Sequence, residues 1–98
     1  MTYELIIRPD AELDIQAAFE WYETQTLGLG SEFVRAVDAS LSSIGRNPLA
    51  YSVVYQQVRR VLIRRFPYGI FYVLDKNTMI VVACFHGKRD PKSWKTRF

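Results

Sequence analysis

The chain has 98 residues, the size of one domain, and 49% of them are hydrophobic, which separates it from disordered sequences. No apolar run approaches the roughly 20 residues that span a bilayer, and the N-terminus lacks the basic and apolar blocks of a secretory signal. Cys84 is the single cysteine, which excludes an internal disulfide. It lies in the apolar run 79–85 and reads as a small buried hydrophobe, so a reducing, cytoplasmic setting is expected. The net charge of +3 hides an uneven distribution: residues 1–49 hold three arginines against eight acids, whereas residues 50–98 hold ten Lys/Arg against Asp75 and Asp90. A half this basic points to an anionic partner, nucleic acid or an acidic protein segment, unless the two halves complement each other within the fold.

Residues 3–8 read as a first strand, ended by Pro9. Asp10 is placed to cap a helix, and Glu12 and Asp14 put negative charge in its first turn. Ala11, Ile15, Ala18, Phe19 and Tyr22 recur at helical spacing, so this helix should run to about Thr24. Gly28-Leu29-Gly30 marks a turn. Ser31 is placed to cap a second helix whose apolar face is Phe33, Val34, Val37, Leu41 and Ile44, and Gly45 and Pro48 mark its end. So short a connection predicts an antiparallel helix hairpin.

Residues 47–57 read as a loop. Three strands follow, at 58–66, 68–74 and 78–86, the last two joined by the turn Asp75-Lys76-Asn77. Alternation in the first of them groups Arg60, Leu62 and Arg64 on one face, and Arg59, Val61, Ile63 and Arg65 on the other. The tail, 87–98, is basic and carries Trp94. The expected fold is one α+β domain, β-α-α-β-β-β, with the helix hairpin on one face of a small, largely antiparallel sheet. The last two strands are apolar on both faces, and strict alternation sets Ile80, Val82 and Cys84 against Met79, Val81 and Phe85. The second face therefore needs a cover, either the tail with Trp94 or a partner protein.

The familiar catalytic signatures are absent. The five glycines form no phosphate loop, the basic half has no carboxylate cluster, and one Cys with one His excludes a Cys/His zinc cluster. No cofactor or metal is expected. What remains is a constellation: Arg59, Arg60, Arg64 and Arg65, then His86-Gly87-Lys88-Arg89-Asp90-Pro91, then Lys92, Trp94, Lys95 and Arg97. His86 is a candidate for catalysis because imidazole is the usual general acid or base. Arg89 is a second candidate, since it lies just past a strand end, where loops carry function.

These residues resemble the RelE/ParE superfamily of bacterial toxins from type II toxin–antitoxin modules. The resemblance rests on Arg64-Arg65-Phe66-Pro67-Tyr68-Gly69-Ile70-Phe71-Tyr72, on Ile80-Val81-Val82-Ala83, and on His86 to Pro91 followed by Trp94. The run from Pro9 to Tyr22 and the pair Asn47-Pro48 agree with it, so it covers nearly the whole chain. It implies a cytoplasmic toxin held in a hetero-oligomer by a cognate acidic antitoxin. RelE-like members cleave mRNA on the ribosome, whereas ParE-like members inhibit DNA gyrase by binding, with no catalysis on nucleic acid. The RelE pattern places an arginine where this chain has Gly69, lysines at Arg60 and Leu62, an arginine at Arg89, and a tyrosine near Trp94 or Lys95. That set is incomplete here, which puts the sequence closer to ParE. The resemblance thus implies a gyrase inhibitor, with a ribosome-dependent endoribonuclease as the alternative and a non-toxic basic binding module as a third reading. The target-binding residues expected are Arg60, Arg64, Lys88, Arg89 and Trp94.

Overall fold

The computed structural model describes residues 3–98, without the side chains of Ser93 and Trp94. Strand β1 (Glu4–Ile7) gives way to helix α1 (Pro9–Gln25) at a proline whose fixed φ suits the first helical position. Arg8 takes the N-cap position without a side-chain cap. Asp10 lies inside the first turn instead of capping it, and there it faces the positive end of the helix.

Gly28 turns the chain at φ 89°, a conformation that glycine adopts without strain, and α2 (Leu29–Arg46) starts directly after it. The cap is thus Gly28, three residues before the expected Ser31. Glu23 does the capping from the preceding helix, its Oε1 accepting the Gly30 N–H at 2.8 Å. The helices approach so closely here that a Cβ on Gly30 would lie 2.6 Å from the Phe19 carbonyl oxygen. Gly45 does not end α2, which runs on to Arg46; the Asn47 N–H then closes on the Ser43 and Ile44 carbonyls. The hairpin is antiparallel, as so short a link requires. No helix among the described residues is long and apolar enough to cross a membrane.

After a single 3₁₀ turn (Pro48–Ala50), four strands complete the sheet: β2 (Val53–Tyr55), β3 (Val58–Leu62), β4 (Tyr68–Asp75) and β5 (Thr78–His86). The order across the sheet is β1-β5-β4-β3-β2; β1 runs parallel to β5 and every other pair is antiparallel. Strand β2 falls in the stretch read as loop. It has only three residues, too few to show a period, and it is held by a tight turn at Gln56-Gln57, with Gln56 at φ 50°. Strand β3 stops at Leu62, before the expected Phe66, because Arg64 and Arg65 turn the chain, Arg65 at φ 72°.

The helix hairpin covers one face. Tyr22, Phe33, Val37 and Ile44 pack on Val61, Ile70, Tyr72, Met79 and Val81, and the buried Tyr72 hydroxyl donates to the Pro48 carbonyl. The second face gathers Val58, Phe71, Val82, Ala83 and Phe85, with Phe98 of the tail packed against them. The tail is thus the cover for the centre of this face. Strict alternation along β5 fails at one point. Tyr72 pairs with Val81 but Phe71 pairs with Ala83, so Val82 is the extra residue of a β-bulge. The bulge leaves Val82 and Ala83 on the tail side and swings Cys84 to the helix side, where it is 2% exposed.

Burial, reinforced by the nearby Asp14 charge, pushes the Cys84 thiol from 9.0 up to about 12, and burial raises the Tyr72 hydroxyl from 10.0 to about 12. The folded chain therefore holds two protons that the unfolded chain releases in alkali. Their contribution to stability is fully present below pH 9 and is lost as pH rises toward 12. The urea midpoint should fall steadily over that window, and Cys84→Ala should flatten the fall. An unchanged slope in Cys84→Ala would show that the thiol is not held neutral by burial.

Candidate functional site

The turn between β3 and β4 and the turn leaving β5 meet at one end of the sheet, where the Gly87 N–H donates to the Pro67 carbonyl at 2.7 Å. This contact gathers the arginine-rich turn and the His86–Arg89 segment, which lie 20 or so residues apart in sequence. His86 closes β5. Its Nδ1 accepts the Lys88 backbone N–H at 3.0 Å, and its ring stands edge-on to Tyr68 at 5.2 Å between centroids. The Arg89 N–H donates to the His86 carbonyl at 3.0 Å, which completes a tight turn and leaves Lys88 exposed at its tip.

Arg60 and Arg89 belong to the tail-covered face. Arg60 sits opposite Phe71 on β4, and its stem lies across Gly69, where a Cβ would meet the arginine Cδ and Cγ at 3.0 and 3.1 Å. The missing side chain at Gly69 is the seat of Arg60. The Arg89 guanidinium lies 4.1 Å from the centre of the Phe85 ring, and Phe85 in turn packs on Phe71 at 5.5 Å. Both cations thus lie on one surface, Arg60 over Gly69 and Arg89 over the Phe85 ring. Arg64 is not with them. It sits in the turn beyond β3 and lines a cavity of about 370 Å³ against α2, with Ala36, Ser40 and Tyr51. Arg65 makes an exposed pair with Glu32 at 3.4 Å, worth little in water. Arg59 points to the helix side and donates to the Tyr51 carbonyl at 2.6 Å and to Leu49 at 3.4 Å, which pins the loop before β2. Trp94 lies in α3 (Pro91–Lys95), and its side chain is outside those described.

The tail is fastened by Arg97, a cation to which the sequence alone assigns no role. Its Nη1 and Nη2 donate to the two carboxylate oxygens of Asp14 at 2.9 and 3.2 Å, and that hydrogen bond raises the already high pKa of the guanidinium. Asp14 Oδ2 also accepts the Cys84 N–H at 3.0 Å. Beside it, Phe98 packs on Phe71 and Phe85, and the Lys95 ammonium lies 5.1 Å from the Tyr55 ring centre. Asp14 had a readable signal: it occupies the stripe of Ala11, Ala18 and Tyr22, where a charge calls for a partner. Phe98 had none, since one aromatic at the end of a tail has no period.

Chemically, this end of the sheet presents cations and aromatic rings but few uncommitted carboxylates. Asp14 is engaged by Arg97, Glu32 by Arg65, and Asp90 Oδ1 accepts the Lys92 N–H at 2.9 Å. Among the described residues no three His, Cys, Asp or Glu are grouped to hold a metal ion. The arrangement suits gripping an anionic surface more than moving a proton.

The sequence profile of the ParE toxin of type II toxin-antitoxin system, parDE, matches residues 5–91. The chain belongs to the ParE toxin family. No curated protein matches the sequence. Among solved structures, the fold is similar to that of a chromosomal ParDE toxin–antitoxin system from P. aeruginosa, with a TM-score of 0.66 and 12% identity over 87% of this chain and 96% of that one. It is also similar to the RelBE2 toxin–antitoxin complex of Mycobacterium tuberculosis, with a TM-score of 0.63 and 15% identity over 88% and 99%. The isolated RelE toxin of E. coli gives a TM-score of 0.65 and 15% identity over 96% and 94%. At such identities the likeness is one of fold. ParE and RelE toxins share that fold, so it does not choose between their targets.

For this ParE-family toxin, the two neighbouring arginines of β3 should separate cleanly. Arg59→Ala strands two backbone carbonyls and should destabilise by about 1–3 kcal/mol. Arg60→Ala loses only a stem lying over glycine and should cost less than about 1 kcal/mol. Urea unfolding of both variants tests this, and the reverse order would show that Arg60 is the structural residue of the pair.

Proposed function

We propose that this toxin inhibits DNA gyrase by binding through Arg60, Lys88 and Arg89, with no chemistry of its own on nucleic acid. The observation that carries this reading is the seating of Arg60 over Gly69. The mRNA-cleaving pattern wants an arginine at that position to grip the scissile phosphate. Here the Arg60 methylenes lie 3.0 and 3.1 Å from where a Cβ would stand, so an arginine at this position would have to displace Arg60 from its seat. His86 accepts the Lys88 amide at Nδ1, a contact that shapes the turn presenting Lys88 and Arg89.

The same face suits an antitoxin. The P. aeruginosa and M. tuberculosis structures are toxin–antitoxin assemblies. A partner of that kind here would be an acidic segment that orders on binding, pairs its carboxylates with Arg60 and Arg89, and sets apolar residues against Leu62, which is 63% exposed on this face. A stable complex of this sort buries at least about 1,200 Å² in total.

Gyrase supercoiling, measured with the purified chain, tests the reading. Wild type should inhibit. Arg89→Ala should weaken inhibition by roughly five- to a hundredfold, the scale of a lost charge-assisted hydrogen bond. Its stability should change by no more than about 1 kcal/mol, since Arg89 is exposed. Lys76→Ala, in the β4–β5 turn, should alter neither. Cleavage of mRNA on translating ribosomes, with supercoiling unaffected, would make the chain an endoribonuclease instead. Inactivity in both assays would leave a non-toxic binding module.

A further inference from the structure

The tail divides the second sheet face in two. One half is the basic end just described. The other half, toward the β2–β3 turn, holds a separate cavity of about 410 Å³, within the range of small-molecule sites. Its floor is three branched side chains, Val58, Val73 and Val82, and Phe98 walls it off from the basic end.

The rims differ in chemistry, and the topology sets them apart. Arg8, at the β1–α1 junction, lies on the β5 side. Gln56 and Gln57, at the β2–β3 turn, lie on the β3 side. Arg8 follows β1, three inter-strand steps of about 4.8 Å from β3, and long side chains reach in from both sides. Arg97 also lines the cavity, but its guanidinium is spent on Asp14. Arg8 is different: among the described residues no carboxylate pairs with it, and the Gln57 side-chain amide likewise has no hydrogen-bond partner. One uncommitted cation, an apolar floor and an uncommitted amide call for a ligand with a carboxylate, an apolar body and an amide.

We propose that this cavity binds a small monocarboxylate with a branched apolar body and an amide head, the chemistry of an N-acylated apolar amino acid. The carboxylate pairs with Arg8, the body rests on the three valines, and the amide exchanges hydrogen bonds with Gln57. Only one charge is accommodated, because only one cation is uncommitted. Since Arg97 and Phe98 form part of the wall, the ligand recognises the docked tail and stabilises it through linkage. This site shares no proposed contact with the gyrase reading and stands or falls separately from it.

The test is a methyl NMR titration of the full chain with N-acetyl-leucine, with N-acetyl-leucinamide as the neutral counterpart. Ligands of this size bind at about the millimolar level, so a titration to about 10 mM covers the range. The expected result is saturable shifts of the Val58, Val73 and Val82 methyls, together with the Phe98 ring. The neutral amide should bind at least about fivefold more weakly, and that preference should disappear in Arg8→Gln and persist in Arg8→Lys. Arg8 is exposed and its backbone N–H bond to Val81 is untouched by these changes, so both variants should keep the wild-type spectrum elsewhere. Absence of saturable shifts at the valines, equal binding of acid and amide, or a charge preference that survives Arg8→Gln would each overturn the proposal.

Discussion

The contact between Asp14 and Arg97 solves a problem that the sheet creates for itself. Strand β1 pairs with β5 only as far as Val81, and the bulge at Val82 then turns the Cys84 amide toward an edge that has no strand. A buried amide without a partner would be costly. A carboxylate from α1 takes the Cys84 N–H, and a guanidinium from the tail holds that carboxylate with two hydrogen bonds while reaching the Val82 carbonyl at 3.4 Å. Two side chains thus stand in for the missing strand. With side-chain exposures of 14% and 23%, the pair is dry enough for its geometry to matter, and removing either partner leaves the other poorly compensated.

Much of the second half of the molecule follows from this contact. It brings the tail back across the sheet, sets Phe98 on Phe71 and Phe85, and so buries a face that the helix hairpin cannot reach. It also marks where the basic end begins. Asp14–Arg97 and Glu32–Arg65 tie the acidic first half to the basic second half. On the sheet itself, Arg60 lies over Gly69 and Arg89 over Phe85. This separates the arginines that build the fold, Arg59 and Arg97, from Arg60 and Arg89, which we propose are presented to a partner.

The element order, the helix hairpin and the two-faced sheet could be read from periodicity, because long amphipathic segments repeat their signal many times. Three features could not. Strand β2 is too short to have a period. The bulge at Val82 is a single inserted residue inside an unbroken apolar run, and apolar residues on both sides of it conceal the change of face. The turn at Arg64-Arg65 hides within what looks like continued alternation, which groups Arg64 with Arg60 although the chain carries it toward α2. Of the candidate site, Arg60, Lys88 and Arg89 were visible as charges near strand ends. Gly69 was visible only as the lack of an arginine; its role as a seat depends on cross-strand register, which a single sequence does not contain.

The most direct test of this account is a double-mutant cycle on Asp14→Asn and Arg97→Gln, followed by urea unfolding. Asparagine keeps an acceptor for the Cys84 amide, so the cycle isolates the charged contact. If the pair holds the tail to the sheet, the two changes should be strongly non-additive, with a coupling of about 1–3 kcal/mol. Additivity to within about 0.3–0.5 kcal/mol would contradict it, since the tail would then be held by Phe98 alone and the edge of β5 would not depend on this contact.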